Sequence, residues 1–385
     1  MADVAKSSRR FQLGERVELE ISGIAHGGES IARLDGWVFF IRHAIPGELV
    51  IAQITEIGKS FHRADAIEIV TPSPDRITPA CSYFHPGGCG GCDFHHISLS
   101  RQRALKAQVI TEQFRRVAKM DISLPVEEVA TTNALGLRYR TRLTLHSSTN
   151  GELGFRKARS HEVIPIHDCL VVHEKVELPT ILATKSVGSA DMSIPNESRI
   201  EKINVNGREY AFQVSSESFW QGHIKAAETL GQKVLELVEP KPGDRVLDLY
   251  GGVGLFGKLL ADHGAAVEII ESSTSAVNDG RINLKEYPKA RYHHGDVRKK
   301  IGAITGAEIV ILDPPRSGAE LEVLQKIVEL TPRVICYISC DPASLARDCA
   351  RLRELGYAID SASAYDLFPQ TAHIECVFSF RRVIS

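Results

Sequence analysis

Residues 241–271, KPGDRVLDLYGGVGLFGKLLADHGAAVEIIE, constrain the fold more than any other stretch of this 385-residue chain. An aliphatic run (245–249) carries Asp248 and is followed at once by Tyr250. Then come a turn holding Gly251, Gly252 and Gly254, a helix, and a second apolar run (266–270) closed by Glu271. Strand, Gly-rich turn, helix, strand is the opening βαβ unit of a doubly wound α/β sheet. The glycines let a ligand approach the backbone, and an acid closing the second strand is placed to accept from ribose hydroxyls. By itself such a turn could equally serve a dinucleotide.

A second junction of the same kind lies at 334–348, VICYISCDPASLARD. The β-branched run ends at Ser339-Cys340, and Asp341-Pro342 is a helix-start signal for a helix from Ala343 to about Leu355. Cys340 is therefore expected at the carboxyl end of a buried strand. There the following helix N-terminus would lower its thiol pKa and favour the nucleophilic thiolate. Cys336, Cys349 and Cys376 read as packing residues. With eight cysteines and no apolar leader in MADVAKSSRR, a disulfide framework is disfavoured against metal, cluster or catalysis. No stretch approaches the length of a membrane span, so a cytoplasmic protein is expected. A net charge of −2 means that any claim of nucleic-acid binding must rest on local patches.

The length accommodates two or three domains. Residues 8–70 alternate short β-rich runs with Gly and Pro, the pattern of a small closed barrel, in which Trp37 and Phe40 are either core or stacking faces for bases. TPSPDRITP (71–79) reads as a linker. Beyond it, Cys81, Cys89 and Cys92 stand as C-x7-C-x2-C, with Cys169 a distant fourth candidate; four thiolates can hold a [4Fe–4S] cluster or a tetrahedral zinc. Residues 98–118 have the spacing of an amphipathic helix. Residues 136–160 carry six basic side chains (Arg138, Arg140, Arg142, Arg156, Lys157, Arg159) against Glu152 alone, the main candidate for RNA backbone contact.

These motifs together resemble a known family. GGESIARLDG (27–36) and IPGE (45–48) are similar to the TRAM module, an OB-like RNA-binding barrel. The D-x-Y-x-G-x-G form at 248–254 resembles motif I of S-adenosylmethionine-dependent methyltransferases, a donor without a pyrophosphate to cradle. DPPRSG (313–318) has Arg316 where amine methyltransferases carry a stacking aromatic. With FWQGH (219–223), SCDPASLARD (339–348) and HIE (373–375), in that order, the chain resembles the iron–sulfur-containing RNA 5-methyluridine methyltransferases of the ribosomal RNA type.

The resemblance implies three units: a TRAM barrel (8–70), a central α+β cluster-binding domain (75–205) and a class I, Rossmann-like methyltransferase domain (206–385). It implies Cys340 as nucleophile and Glu375 as base. Gln221, Tyr250, Glu271, Asp313 and, near the adenine, Asp296 would bind the donor. Cys81, Cys89, Cys92 and Cys169 would hold a [4Fe–4S] cluster, with zinc the alternative. The expected partner is RNA, ribosomal before transfer RNA, with no obligate protein partner; a binding or folding factor without catalysis would be expected to lack these residues. Departures are His223 and Leu255 where the family commonly has Asn, Asp341 for the Asn of SCNP, and a longer first cysteine spacing.

The chemistry explains the residue types. Uracil C5 is too weak a nucleophile for a sulfonium methyl until a thiolate adds to C6 and makes the ring an enolate. After transfer, a carboxylate must remove the C5 proton so that the thiolate can leave. Attack on both faces requires the base to be flipped from its stack.

Overall fold

The computed structural model describes residues 10–131, 133–183 and 191–383. Strands β1 (Arg16–Ile24), β2 (Ser30–Leu34), β3 (Trp37–Arg42), β4 (Leu49–Ile57) and β5 (Phe61–Thr71) close into a barrel in the order β1-β2-β3-β5-β4. Alternation drives it: Val17, Leu19 and Ile21 of β1 and Phe39 and Ile41 of β3 point inward, with Glu18 and Glu20 of β1 outward between them. Trp37 lies partly buried against this core, stacked on His62 at 4.4 Å between ring centroids.

Helix α1 (Leu99–Gln113) runs into a π-helical turn at Phe114–Ala118, and β6 (Val126–Glu128) follows. Strands β7 (Leu143–Ser147), β8 (Leu153–Arg156), β9 (Val163–Pro165) and, after the short helix α2 (Leu178–Leu182), β10 (Met192–Ile194) form a small sheet in the order β10-β7-β8-β9. Strands β11 (Arg199–Val205) and β12 (Arg208–Val214) are a hairpin packed on α3 (Ala226–Val238).

The remaining chain builds the large sheet: β13 (Arg245–Leu249), α4 (Leu255–Asp262), β14 (Ala266–Glu271), α5 (Thr274–Asn283), β15 (Ala290–His294), α6 (Val297–Lys300), β16 (Ile309–Leu312), α7 (Leu321–Glu329), β17 (Val334–Ser339), α8 (Pro342–Glu354), β18 (Tyr357–Asp366) and β19 (Glu375–Arg382). The strand order is β15-β14-β13-β16-β17-β19-β18-β6. The first five strands run parallel, and β19 lies antiparallel between β17 and β18. The parallel strands are apolar on both faces because helices cover both: Ile335 and Tyr337 face α7 and α8, while Val334, Cys336 and Ile338 face α3.

Two elements sit differently from the three-unit reading. Helix α1 and strand β6, within 75–205, belong physically to the large sheet: β6 pairs with β18, and Leu105, Val109, Ile110 and Phe114 pack into the core beneath α8. Their partners lie some 250 residues downstream, so local spacing cannot assign them. The junction at 205/206 likewise falls at the turn of the β11–β12 hairpin, whose β11 packs on α3 and β12 on α5.

Candidate active site

The chain leaves β13 toward β14 and β15 on one side and returns through β16 and β17 on the other, so strand order reverses between β13 and β16. That is where a doubly wound sheet opens a crevice. Phe219, Trp220, Gln221, Tyr250, Gly251, Gly252, Leu255 and Asp313 line a pocket at this point.

The backbone of the Gly-rich turn is built for close approach. Gly254 has φ +87°, and a Cβ there would lie 2.5 Å from Leu284 Cδ1 and 2.6 Å from Tyr292 Oη. Glu271 anchors the turn: its two oxygens accept from the N–H groups of Gly252 (2.9 Å) and Ser273 (2.6 Å). Asp248 is wholly buried, accepts from Gly257 N–H at 3.0 Å, and keeps its other oxygen without a partner. Burial pushes its carboxyl up to about 8, and that of Asp313 up to about 7. Asp296 is exposed and caps α6, accepting from Lys299 N–H, outside the residues lining the pocket.

The departures from the family pattern find physical partners. Leu255, the first residue of α4, is buried in the pocket wall. His223 is buried, stacks on Tyr139 (5.1 Å between centroids, 22° between planes) and accepts from Lys225 N–H through Nδ1. It joins the β12–α3 loop to the central unit.

Cys340 and Glu375 come together because β19 is antiparallel. Ser339, the last residue of β17, pairs with Cys376, so the start of β19 lies at the end of the parallel strand. The Cys340 thiol feels the charge of the Glu375 carboxyl. Cys340 is pushed up to about 11, chiefly by burial, then by Glu375, with Asp313 and Asp341 adding and only Arg316 opposing. The expected lowering by the helix N-terminus is therefore outweighed: three carboxyl groups surround the thiol. Burial likewise raises Glu375 well above the carboxylate range. Asp341 caps α8, its Oδ1 accepting from Ser344 N–H at 2.8 Å, while its Oδ2 lies 3.0 Å from His26 Nε2 of the barrel. Nothing in the sequence signalled His26, whose partner is more than 300 residues away.

Cys81, Cys89, Cys92 and Cys169 line one cavity with Tyr83, Phe155 and Arg140. Gly90 lets this loop seat against β8: its N–H donates to Arg156 O, and a Cβ would lie 2.5 Å from Ala158 N. Gly91 N–H donates to Cys89 Sγ at 3.4 Å, a backbone amide turned toward sulfur. Among the described residues, no three metal-ligating side chains close on a single point. The basic run at 136–160 is not a free patch. Arg138 is forked on Asp168 (3.0 and 2.5 Å), Arg159 reaches Glu29 (2.8 Å), and Arg140 faces the cysteine cavity. Their partners lie outside the window in which the charge was counted.

Two family descriptions match: "TRAM domain" over residues 10–67 and "tRNA (Uracil-5-)-methyltransferase" over residues 304–383. A protein of Streptomyces avermitilis described as an uncharacterized RNA methyltransferase is 37% identical, covering 95% of this chain and 98% of its own length. A 23S rRNA (uracil(1939)-C(5))-methyltransferase of Shewanella halifaxensis is 28% identical over 98% of each chain. The crystal structure of the Pyrococcus abyssi tRNA (uracil-54, C5)-methyltransferase, in complex with S-adenosyl-L-homocysteine, shares the fold with a TM-score of 0.69 at 22% identity, covering 94% of this chain and 99% of that one. No helix among the described residues is long and apolar enough to cross a membrane. A barrel at the N-terminus, a donor crevice at the strand reversal and these matches over nearly the whole length lead to one assignment: the chain belongs to the RNA uracil-C5 methyltransferases that carry a TRAM domain.

Proposed function

We propose that this protein methylates C5 of a uridine in 23S ribosomal RNA, with S-adenosylmethionine as donor, Cys340 as nucleophile and Glu375 as base. The observation that carries the roles is the antiparallel register of β19, which sets Glu375 beside Cys340 at the mouth of the crevice that Tyr250 and Asp313 line. The Cys340 thiolate adds to C6, and the electron pair moves through C5=C6 into the C4 carbonyl. C5 then takes the sulfonium methyl group, leaving the thioether. Glu375 accepts the C5 proton, and the pair re-forms C5=C6 as the thiolate departs. Gln221, Tyr250 and Asp313 line the donor pocket; Glu271 shapes its turn and keeps lone pairs for the ribose, and Asp296, outside the pocket lining, would reach the adenine. The ribosomal substrate rests on the Shewanella relative, whose match runs end to end.

The same reading gives the central unit its cluster. A cuboidal [4Fe–4S] core spaces its thiolates more widely than one tetrahedral zinc does, which suits four cysteines on one cavity wall that do not converge on a point. When bound, such a cluster would tie the 81–92 loop to Cys169, a structural role. The division into barrel, cluster unit and methyltransferase, and a cytoplasmic location, belong to this proposal.

Incubation with 5-fluorouridine-containing RNA and donor should trap a covalent adduct on the Cys340 peptide, absent in Cys340→Ala. An adduct that survives that substitution refutes the mechanism. Nucleoside mapping of ribosomal and transfer RNA from cells lacking the protein should show one 23S uridine unmethylated; a transfer-RNA loss instead would overturn the substrate. Anaerobically purified protein should absorb near ~400 nm, and stoichiometric zinc without iron would remove the cluster.

A further inference from the structure

Residues 25–29, the turn between β1 and β2, touch all three units of the molecule. Glu29 pairs with Arg159 of the central unit at 2.8 Å. Gly28 (φ +87°) sits so close to the loop before Glu375 that a Cβ would lie 2.5 Å from Ala372 Cβ. His26 reaches the residue after Cys340, its Nε2 3.0 Å from Asp341 Oδ2. The turn itself is closed by Ala25 N–H to Glu29 O (2.8 Å) and Gly28 N–H to Ala25 O (3.0 Å). The barrel thus contacts the backbone approach to both catalytic candidates.

The Cys340 turn is held from several sides. Ser339 Oγ accepts from Asp341 N–H at 3.2 Å and donates to Asp341 O at 3.1 Å. Asp341 Oδ1 caps α8, which leaves Oδ2 to the barrel. Burial alone would raise the Asp341 carboxyl; the His26 and Ser344 hydrogen bonds overcome that and hold it down to about 2, so it stays a carboxylate. An Asn here would cap the helix as well as Asp does, yet it could not form an ion pair. The charge of Asp341 is therefore explained by the barrel and not by its own helix.

We propose that His26 is a positioning residue for the reaction: paired with Asp341, it fixes the 339–341 turn and hence the aim of Cys340, so the TRAM barrel is part of the active-site wall and not only an RNA holder. The proposal rests on Cys340 being the nucleophile. A nucleophile displaced by a fraction of an ångström loses much of its rate, because near-attack geometry carries a large part of catalysis.

The test is a double-mutant cycle in the full-length protein with 5-fluorouridine RNA, reading adduct rate at saturating RNA and RNA affinity separately. His26→Ala should lower the adduct rate roughly ten-fold, the factor of about 1.4 kcal/mol, with affinity within about two-fold. In an Asp341→Asn background, which keeps the cap and restores the residue common in the family, His26→Ala should cost at most about two-fold, because the pair is already gone. His26→Gln, which keeps a donor but not the charge, should restore only part of the rate lost in His26→Ala. An equal loss in both backgrounds, no loss, or a loss confined to RNA affinity overturns the proposal. Cys340→Ala in the same assay keeps the failures apart: a persisting adduct refutes the nucleophile itself, whereas its loss beside an unaffected His26→Ala refutes only the positioning role.

Discussion

The state of the Cys340 thiol gives the sharpest test of the site's electrostatics. Burial, followed by the carboxyl of Glu375, pushes it up to about 11. By simple titration, roughly one molecule in ten thousand carries the thiolate at pH 7, against about one in thirty for a free cysteine. The rarer thiolate is the better nucleophile. With a Brønsted coefficient of about 0.4–0.5, its higher basicity returns close to ten-fold in rate. The net expectation is alkylation by iodoacetamide about 30-fold slower than free cysteine at pH 7, before any steric hindrance. Access changes the absolute rate but not the shape of the pH profile. Modification of the Cys340 peptide, followed by mass spectrometry, should rise close to ten-fold per pH unit up to about pH 10. Glu375→Gln removes the charge next in weight to burial and should move the rise to lower pH; Arg316→Met removes an opposing cation and should move it higher. A plateau at or below pH 8 would refute the reasoning, since the helix N-terminus would then outweigh burial and three carboxyl groups.

Lys106 and Asp366 form a wholly buried pair at 2.5 Å that ties α1 to the end of β18. Lys106→Met should cost about 3–5 kcal/mol by leaving the Asp366 charge unpaired, and Lys106→Met/Asp366→Asn distinctly less; urea denaturation of the two variants checks it, and equal losses would contradict it. Gly254→Ala combines a φ of +87° with contacts of 2.5 and 2.6 Å, so S-adenosylhomocysteine binding by calorimetry should weaken at least ten-fold. For the barrel contact the sign follows from His26. Its pKa is raised above the ordinary value, first by the hydrogen bond to Asp341. The pair's contribution is thus complete below about pH 6.5 and is lost as pH rises through the raised value. Hydrogen exchange of residues 25–29 should speed up across that alkaline window beyond its intrinsic pH dependence in the native protein but not in Asp341→Asn; identical profiles would rule it out.

The centre of the large sheet was legible because β13, β16 and β17 each carry their own signal: an apolar run, a Gly or Asp-Pro junction, then a helix. Cys340 and the Gly-rich turn fall at strand ends, so their positions could be read locally. The helix 342–354 likewise begins where Asp341 and Pro342 place it. Helix α1 shows the limit. Its buried face includes Gln102 and Lys106, polar residues that no apolar periodicity would put inside. They are buried because Gln102 accepts from Gln370 N–H at 2.8 Å and Lys106 meets Asp366. Polar burial is set by a partner, and the partner is distant in sequence.

Site residues divide in the same way, between those with local partners and those whose partners are distant in sequence. Counting charges over 136–160 gave a basic patch, but charge is neutralised in space and not along the chain. Glu29, from the barrel, takes Arg159; Asp168 takes Arg138; and Arg140 turns toward the four cysteines. The converse error concerns Asp341. In the sequence it reads only as a departure from the family, and its carboxylate adds to the raised pKa of the Cys340 thiol. In three dimensions its charge is matched by His26, which joins the barrel to the strand end bearing Cys340. A substitution that looks unfavourable within its own motif becomes intelligible as half of an interdomain pair. The residue opposite a departing motif position is therefore the place to look for what the departure does.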